Sequence, residues 1–510
     1  MVSKSNFPPG PTVMTAADTW LAASTIPRTT GFKPTPMAPS YGPTRGIYSP
    51  TGSLRLERKR RQLKEKASLF VPVLPYFSTT VRIMASRTLS DLRRYASHLH
   101  IGCLAVALVL LPMGGLTDTW GLILLGLAAV MALPECISRW RFLAARPTLL
   151  LWLAWWALAF VSITWSTDPS QAMQQGGWGL LAVPAMVPVI DRPRWWILPL
   201  AVGVAAQAVI QVLGWHGLVE DSPYPPSVAT GGLYSYLPLV GLWAATSMVL
   251  LCPLLVSLRT SVWRAIVLLL IVAAAISLLL TMNRTSWIIA GIGLILIAIR
   301  SIRFLPRIKR QWPWIGCILI VLAATLVAAF TQFDFSKRAA HTHRDVESFT
   351  TTDLSPQDVG RFDSSIGRRV LWWHAGWELL GDRPFIGHGA GSIARSLATK
   401  EAEMPSQWGA GVTDFITSNP HASLVATAIE QGGLGVLLLL AIAIGVAIGA
   451  WRRGRTCAAL IGLGPAWIGL LLFSLTHAVL LEPYTSVLVS ILLVAALPSK
   501  EDPAKVHPAQ

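Results

Sequence analysis

Long apolar runs recur along the chain from residue 98 onward, and they constrain its fold more than any other feature. A helix of about 20 apolar residues crosses the hydrocarbon core of a bilayer, and lipid favours helices because they bond their own backbone polar groups. We count twelve runs that are long enough or nearly so: 98–114, 118–134, 147–165, 176–190, 195–215, 232–257, 264–282, 285–299, 313–331, 422–450, 457–478 and 484–498. The sequence therefore predicts an all-α, polytopic integral membrane protein with about twelve transmembrane helices.

Composition agrees with a membrane location and argues against nucleic-acid binding. The chain is 53% hydrophobic and 13% charged, and its mean hydropathy of +0.54 exceeds that of a soluble domain of this size. The formal net charge is +17, but the Lys and Arg residues are dispersed between apolar runs. A nucleic-acid site would gather them in one stripe beside stacking aromatic residues. We therefore expect membrane lipids as partners and no nucleic acid.

Lys and Arg are distributed unequally between the loops on the two sides of the predicted membrane. The alternate loops that start after the second run hold fifteen of them: Arg139, Arg141, Arg146, Arg192, Arg194, Arg259, Arg264, Arg300, Arg303, Arg307, Lys309, Arg310, Arg452, Arg453 and Arg455. The short loops of the other set are mainly acidic and contain one base, Arg284. Basic residues are retained on the cytoplasmic side during insertion, so both termini are predicted to be cytoplasmic.

The runs divide the chain into five parts. Residues 1–95 are predicted to form a disordered, basic cytoplasmic region, because they begin with a segment rich in Pro, Gly, Ser and Thr and continue with "RLERKRRQLKEK". A solvated tail and a contact with anionic headgroups both fit this basic stretch. A second possible start at Met84 leaves the function of the preceding residues open. Transmembrane helices 1–9 follow at 98–331, an outer loop at 332–420, helices 10–12 at 421–498, and a cytoplasmic tail at 499–510.

The outer loop contains a predicted amphipathic helix. Its apolar positions have helical spacing: Val370, Trp373, Trp377 and Leu380. Gly381 and Pro384 end the helix. The tryptophans suit the bilayer interface, where an indole buries its ring and keeps its N–H hydrated. We therefore expect the helix to lie along the outer surface, with Arg368 and Arg369 at its start, where the helix dipole reinforces binding of an anion.

Basic groups gather on the outer side of the predicted membrane. Arg284 stands there against the charge rule, and either a snorkelling side chain or a bound anion explains it. Guanidinium groups match phosphate oxygens in pairs, so Arg284, Arg368 and Arg369 suggest a phosphorylated lipid. His421, at the start of an apolar run, is a candidate proton-transfer group or a structural histidine. The five cysteines form no C-x-x-C pair, and we expect no metal site and no cofactor.

These residues, in this order, resemble the O-antigen ligase and O-antigen polymerase superfamily. The resemblance rests on Asn283-Arg284, on Arg369 four residues before Trp373, on "PFIGHG" at 384–389, on His421, and on "EQGGLG" at 430–435. The turn "SITWSTDPSQAM" at 162–173 is similar to the first long outer turn of that family. In the order of spans and loops, the resemblance covers most of 98–498. Its motifs are most specific in the C-terminal half.

The resemblance implies a metal-independent, inverting membrane glycosyltransferase of the bacterial inner membrane with a periplasmic active site, so that 332–420 is a periplasmic loop. Its donor would be an undecaprenyl-diphosphate-linked glycan, and its acceptor lipid A-core or another glycan. Arg284 and Arg369 would hold the diphosphate, with Arg368 as the alternative to Arg369. His421 would be the general base. Supporting roles fall to a further set of residues: Trp373, Gly387, Gly389 and Glu430.

Glu430 follows His421 by nine residues, ~13.5 Å along a helix, which is too far for contact. We expect its carboxylate to orient the loop or to bond the backbone N–H groups of "QGG". Other polar residues have two interpretations each. His388 either touches substrate or belongs to a glycine turn, and His477 either lines a cavity within a span or links helices.

Several alternatives and one departure stay open at this point. A polymerase that joins two lipid-linked repeats needs the same chemistry as a ligase. A secondary transporter would instead place functional charge near the middle of the membrane on broken helices. A non-catalytic scaffold is a further alternative. The departure lies in "PPSVATGGLYSYLPLVG", which lacks the Arg and Asn that many relatives carry there; Tyr234 and Tyr236 either substitute or are interfacial aromatic residues.

Overall fold

The computed structural model describes residues 95–114, 116–175, 177–218, 237–301, 365–403, 421–478 and 482–498, with single helical positions between 316 and 327. The chain divides into two units, 1–84 and 85–510, and the described residues all belong to the second. They form helices joined by turns, with no strand among them, which confirms the all-α prediction for this part of the chain. Segment 1–94, most of the ninth run, the loop before residue 365, residues 404–420 and the tail from 499 lie outside the described residues.

We number the described helices in chain order. They are α1 Tyr95–Met113, α2 Leu116–Ser138, α3 Trp140–Ala144, α4 Pro147–Ser162, α5 Pro169–Gln175, α6 Trp178–Met186, α7 Arg194–Trp215, α8 Leu237–Ser257, α9 Ser261–Leu280, α10 Arg284–Ser301, α11 Ser365–Asp382, α12 Ile393–Glu403, α13 Ser423–Thr456, α14 Leu463–Ser474 and α15 Pro483–Ala496. Short 3-10 turns extend α4 and α6 and precede α14.

Eight of these helices are long and apolar enough to cross a membrane: α1, α2, α4, α7, α8, α9, α10 and α13. Three further apolar helices are shorter, at Trp178–Val189, Ala458–Ser474 and Pro483–Ala496. Each of these eleven corresponds to one predicted run, and the remaining run, 313–331, lies mostly outside the described residues. The multi-pass architecture is therefore confirmed, and the number twelve stays a prediction.

Helix α8 is the centre of the packed core. It packs against α7, α9, α10 and α14, and its residues from Leu239 to Leu255 are buried. A helix that is surrounded by protein needs no polar face, which explains why α8 is apolar all round. Gly241 lies directly against Ser286 of α10, so the two backbones approach closely, as is common where small residues line membrane helix contacts.

Arginines of the predicted cytoplasmic loops meet at one end of the helices. The Arg453 guanidinium donates to the Ile190 carbonyl at 2.9 Å and to the Asp191 carboxylate at 3.3 Å. Arg300 donates to the Trp451 carbonyl at 2.9 Å and to the Ile461 carbonyl at 3.2 Å. Three loops that the charge pattern assigns to one side therefore share one end of the structure. Which side of the membrane this end faces stays a prediction.

Candidate functional site

Helix α13 is broken near its start. Gly432 has φ 64° and ψ −162°, which is not helical and which an L side chain rarely adopts. The predicted continuous span at 422–450 is therefore wrong in this respect: a short segment, 423–431, precedes a second one, 433–456. At 1.5 Å per residue the second segment is about 36 Å long, which suffices to cross a membrane on its own. His421 and Glu430 both belong to the part before the break.

The loop "PFIGHG" fills the break. The backbone N–H groups of Gly433 and Leu434 donate to the carbonyls of Pro384 and Phe385 at 2.7 and 3.2 Å. In the other direction, His388 and Gly389 donate to the carbonyls of Ile429 and Glu430, both at 2.8 Å. A broken helix loses the partners of the backbone groups on each side of the break, and in a membrane protein these groups need new ones. Two distant motifs of the sequence thus form one structural unit, which we call the spliced loop (384–391 with 429–434).

Glycines are required where the two segments meet. A Cβ on Gly387 would lie 2.5 Å from the Glu430 carbonyl carbon, and one on Gly432 would lie 2.5 Å from the Phe385 carbonyl carbon. A Cβ on Gly389 would lie 2.5 Å from the Ser166 Cα. Real Cβ atoms do not come this close to backbone, and all three residues have positive φ. Chain geometry therefore requires glycine at 387 and 389, and their supporting role in a functional site stays a prediction.

Side chains tie the spliced loop to its surroundings. The buried Glu430 carboxylate accepts a hydrogen bond from the Gly391 N–H at 2.8 Å, so it orients the outer loop. The His388 Nε2 lies 3.0 Å from the Leu379 carbonyl near the end of α11, which indicates a capping role for this ring. The Ser162 Oγ accepts from the Ala390 N–H at 2.9 Å. The Ser166 hydroxyl donates to the Ala390 carbonyl at 2.6 Å, so the turn at 162–173 also packs here.

His421 lies just before α13 with its ring between two others. Its φ is 50°, a value that non-glycine residues adopt rarely and only where surrounding contacts impose it. The imidazole stacks on the Trp372 indole, with ring centroids 4.7 Å apart, and makes an edge-to-face contact with His477 at 5.9 Å. Burial, and then the nearby Arg369 guanidinium, lower the pKa of His421 to about 4. The imidazole is therefore uncharged at neutral pH.

Arg369 is one cation that lies near this histidine. It lies on α11, is half-buried, and lowers the pKa of both His421 and His477, which places its charge close to both rings. Helix α11 packs against α13, with Gly376 facing Val425 and Ile429. The neighbouring Arg368 is within the helix, but its side chain lies outside the described part of the chain.

The tryptophans of α11 face in two directions. Trp372 is buried and stacks on His421, whereas Trp373 is 41% exposed and Trp377 is 76% exposed. Trp372 thus contacts the candidate base directly, and the supporting role of Trp373 stays a prediction. One face of α11 packs on α13 instead of lying on a lipid surface, so only part of the helix is free to contact the interface.

Arg284 lies at the same end of the structure as His421. It is the first residue of α10, and its side chain is exposed. Helices α10 and α14 run in opposite directions, since Ile289 faces Gly469 and Arg300 reaches the Ile461 carbonyl. Arg284 precedes Ile289 by five residues on α10, and Ser474 follows Gly469 by five residues on α14. Each step covers about 7.5 Å along its helix, so Arg284 and Ser474 lie at the same level. His477 follows in the next turn. A shared site for Arg284 and Arg369 remains part of the proposal below.

An apolar cavity begins beside this site. Its volume is about 430 Å³, and its walls come from α4, α13, α14 and α15. Ser423 and Ser474 lie at the His421 end of the cavity, and Ala447 and Trp467 line its wall within the spans. Its lining is almost entirely apolar, as a site for a hydrocarbon chain requires. In the described part of the chain no three His, Cys, Asp or Glu residues are grouped as metal ligands.

Comparison with known proteins adds one finding. Residues 266–440, about a third of the 510-residue chain, match the family described as O-antigen ligase. The matching segment contains Arg284, Arg369, His421 and both halves of the spliced loop. No curated protein matches the chain.

Proposed function

We propose that this chain belongs to the O-antigen ligase superfamily and is a membrane glycosyltransferase that moves a glycan from a polyprenyl diphosphate to an acceptor hydroxyl. One observation carries the proposal: the half-buried, uncharged His421 imidazole lies beside an arginine, two residues before Ser423, which lines an apolar cavity. Each part matches one part of such a substrate pair. The cavity suits the lipid chain, the guanidinium suits the diphosphate, and the imidazole suits the acceptor hydroxyl.

The reaction is a displacement at the anomeric carbon with inversion. The acceptor oxygen forms a bond to that carbon, and the bond from the carbon to the diphosphate oxygen breaks. The leaving diphosphate takes the electron pair, and the His421 imidazole takes the proton of the acceptor hydroxyl. Arg369, with Arg284 from α10, stabilises the charge that develops on the diphosphate. Arg368 is the alternative to Arg369 in this role. The undecaprenyl diphosphate is the proposed carrier.

Binding of the donor would change the pKa of His421. A pKa of about 4 keeps His421 unprotonated before binding, but a base this weak removes a proton poorly. A diphosphate bound to Arg369 would offset the positive charge that contributes to the low pKa. The pKa of His421 would then rise toward its ordinary value of about 6.5, and the imidazole would become a stronger base when the donor is in place.

The finer proposal is that the protein is a ligase at the periplasmic face of a bacterial inner membrane and that its acceptor is lipid A-core. A polymerase acting on lipid-linked repeats remains the second candidate, since it uses the same base and the same cations. The two differ in which acceptor enters beside His421. Analysis of the glycans that a defective strain accumulates separates them.

The test is a His421→Ala variant expressed in a strain that lacks the native gene. We expect loss of surface polysaccharide with normal membrane insertion. Lipid A-core without chains, together with full-length lipid-linked glycan, would support the ligase, and single-repeat chains would support the polymerase. His216→Ala is the matched control, because His216 also lies at the end of a span but is exposed. Normal polysaccharide with altered solute uptake would contradict the proposal and favour a transporter.

A further inference from the structure

Four rings form a continuous row through the candidate site, which we call the ring row: Trp372, His421, His477 and Phe473. The Trp372 and His421 centroids are 4.7 Å apart, those of His421 and His477 are 5.9 Å apart, and those of His477 and Phe473 are 4.2 Å apart. Offset, stacked and edge-to-face contacts of this kind stabilise ring orientation beyond simple burial. His421 is an inner member of the row, so it is held from two sides.

The four rings come from three parts of the chain. Trp372 belongs to α11, His421 precedes α13, His477 lies in the turn after α14, and Phe473 belongs to α14 itself. The predicted run reaches residue 478, but the helix ends at Ser474, so His477 lies in the turn after it. The row joins the outer helix α11 to the transmembrane helices at the position where the proposed base sits.

His477 is buried and makes several contacts, although it lies in a turn between helices. It is 5% exposed, and its ring stacks on Phe473, which is fully buried in the core. Its backbone carbonyl accepts a hydrogen bond from the Ser423 hydroxyl at 3.1 Å. Ser423 follows His421 by two residues, so this bond ties the His477 turn directly to the segment that carries the base. Ala478, the next residue, packs in the same cluster as Ile429 and Leu379.

Burial of His477 has an electrostatic consequence as well. Burial first, then Arg369 and His421, lower the pKa of His477 to about 3. An uncharged ring at this position excludes water from one side of His421 without adding a second positive charge beside Arg369. Arg369, from α11, and His477, from the turn after α14, are two charged or titratable groups that lie near His421.

We propose that His477 is a positioning residue that acts through His421: its ring holds the His421 imidazole against Trp372 and keeps water away from it. This inference rests on the proposed function only in that His421 is the base. The ring itself, not a nitrogen of His477, supplies the effect. His477→Phe therefore preserves it, and His477→Ala removes it.

The kinetic expectation follows from geometry. With alanine at 477, the His421 ring gains freedom, and we expect kcat for glycosyl transfer to fall roughly 10- to 100-fold with KM for the donor little changed, since small misplacements of a catalytic group cost this much. His477→Phe should keep kcat within about threefold of the wild-type value. A large loss in His477→Phe, equal to that in His477→Ala, would overturn the assignment of the effect to the ring.

A second measurement needs no turnover. Diethyl pyrocarbonate modifies unprotonated imidazole, so the pH dependence of His421 modification, read by mass spectrometry of the full-length protein in detergent, reports the pKa of His421. We expect a midpoint near 4 in the wild type and in His477→Phe. In His477→Ala, water reaches the ring and the midpoint moves up toward 6.5. An unchanged midpoint in His477→Ala would overturn the inference.

The two measurements separate the inference from the proposed function. If the midpoint moves in His477→Ala but no variant, including His421→Ala, affects glycan transfer, then the ring contact is correct and the proposed function is wrong. If His421→Ala abolishes transfer while both His477 variants resemble the wild type in rate and midpoint, the proposed function stands and the positioning role of His477 is rejected.

Discussion

Arginines at the two ends of the helices have different surroundings. At the predicted cytoplasmic end, Arg264, Arg300 and Arg453 donate to backbone carbonyls at or next to helix ends, at 2.7 to 3.2 Å. At the other end, burial and then the Arg369 charge lower the pKa of the half-buried His421 and of the buried His477. The first arrangement satisfies helix termini, and the second changes the chemistry of titratable groups. The number of arginines in a loop therefore indicates which side of the membrane the loop faces. An arginine close to titratable side chains indicates a candidate site.

The largest expected difference between the two ends is in catalysis. Arg369→Ala should lower kcat by roughly 10²- to 10³-fold, as removal of one donor to a developing anion does elsewhere. Arg453→Ala should leave kcat of the folded protein near wild type. Turnover of a lipid-diphosphate donor by purified protein in nanodiscs measures both. Equal losses of kcat in the two variants would contradict the proposed difference between the arginines at the two ends.

The next effect concerns the spliced loop. Gly387→Ala and Gly432→Ala each place a methyl group against backbone at a position with positive φ. We expect each to lower the free energy of unfolding by roughly 2–4 kcal/mol, or to prevent correct folding. Gly291→Ala in α10 is the matched control, because its Cβ would meet no other atom within 4 Å.

Thermal unfolding in detergent measures the loss for each glycine variant. Gly291→Ala should leave stability unchanged or raise it by up to about 1 kcal/mol, since alanine favours helices over glycine. If Gly432→Ala behaves like this control, α13 continues through residue 432 and the break is not required.

A smaller effect is expected for the buried carboxylate. Glu430→Ala leaves the Gly391 N–H without this acceptor, which costs roughly 1–3 kcal/mol of stability, whereas Glu430→Gln keeps an oxygen that can accept the bond. Arg453→Ala should cost a similar amount at the opposite end, by freeing the Ile190 carbonyl. Chemical denaturation of the three variants checks both expectations. A loss in Glu430→Gln as large as that in Glu430→Ala would show that charge, and not the hydrogen bond, matters there.

The smallest effect is a pH shift between two kinetic profiles. The profile of kcat/KM reports the free protein and should decline only toward pH 4, where His421 gains a proton. The profile of kcat reports the donor complex, in which the bound diphosphate raises the pKa, so its decline should begin at higher pH. At pH 5.5 we expect kcat/KM and kcat, each divided by its own value at neutral pH, to differ by less than about tenfold. Superimposable profiles would contradict the proposed tuning by the donor, and Arg453→Ala should leave both unchanged.

Much of this architecture follows from local sequence. The eleven described apolar helices coincide with predicted runs, because the thickness of a bilayer and the need to bond every backbone group act on each segment separately. The segments that carry Arg284, Arg369 and His421 were also recognisable from residue order. The glycines at 387, 389 and 432 belong to two sequence motifs, but the local sequence did not predict that these two motifs contact each other.

Tertiary contacts decided the rest. The break at Gly432 is stable because "PFIGHG", more than 40 residues earlier in the chain, supplies the hydrogen bonds that the helix loses there. Helical periodicity placed three tryptophans on α11 but gave no reason for Trp372 to face His421 while Trp373 faces outward. His477 lies in a turn beside the site because α14 ends at Ser474, four residues before the end of the predicted run at 457–478. The composition of each segment determined which segments enter the membrane, and hydrogen bonds and ring contacts between distant segments determined where the candidate base lies.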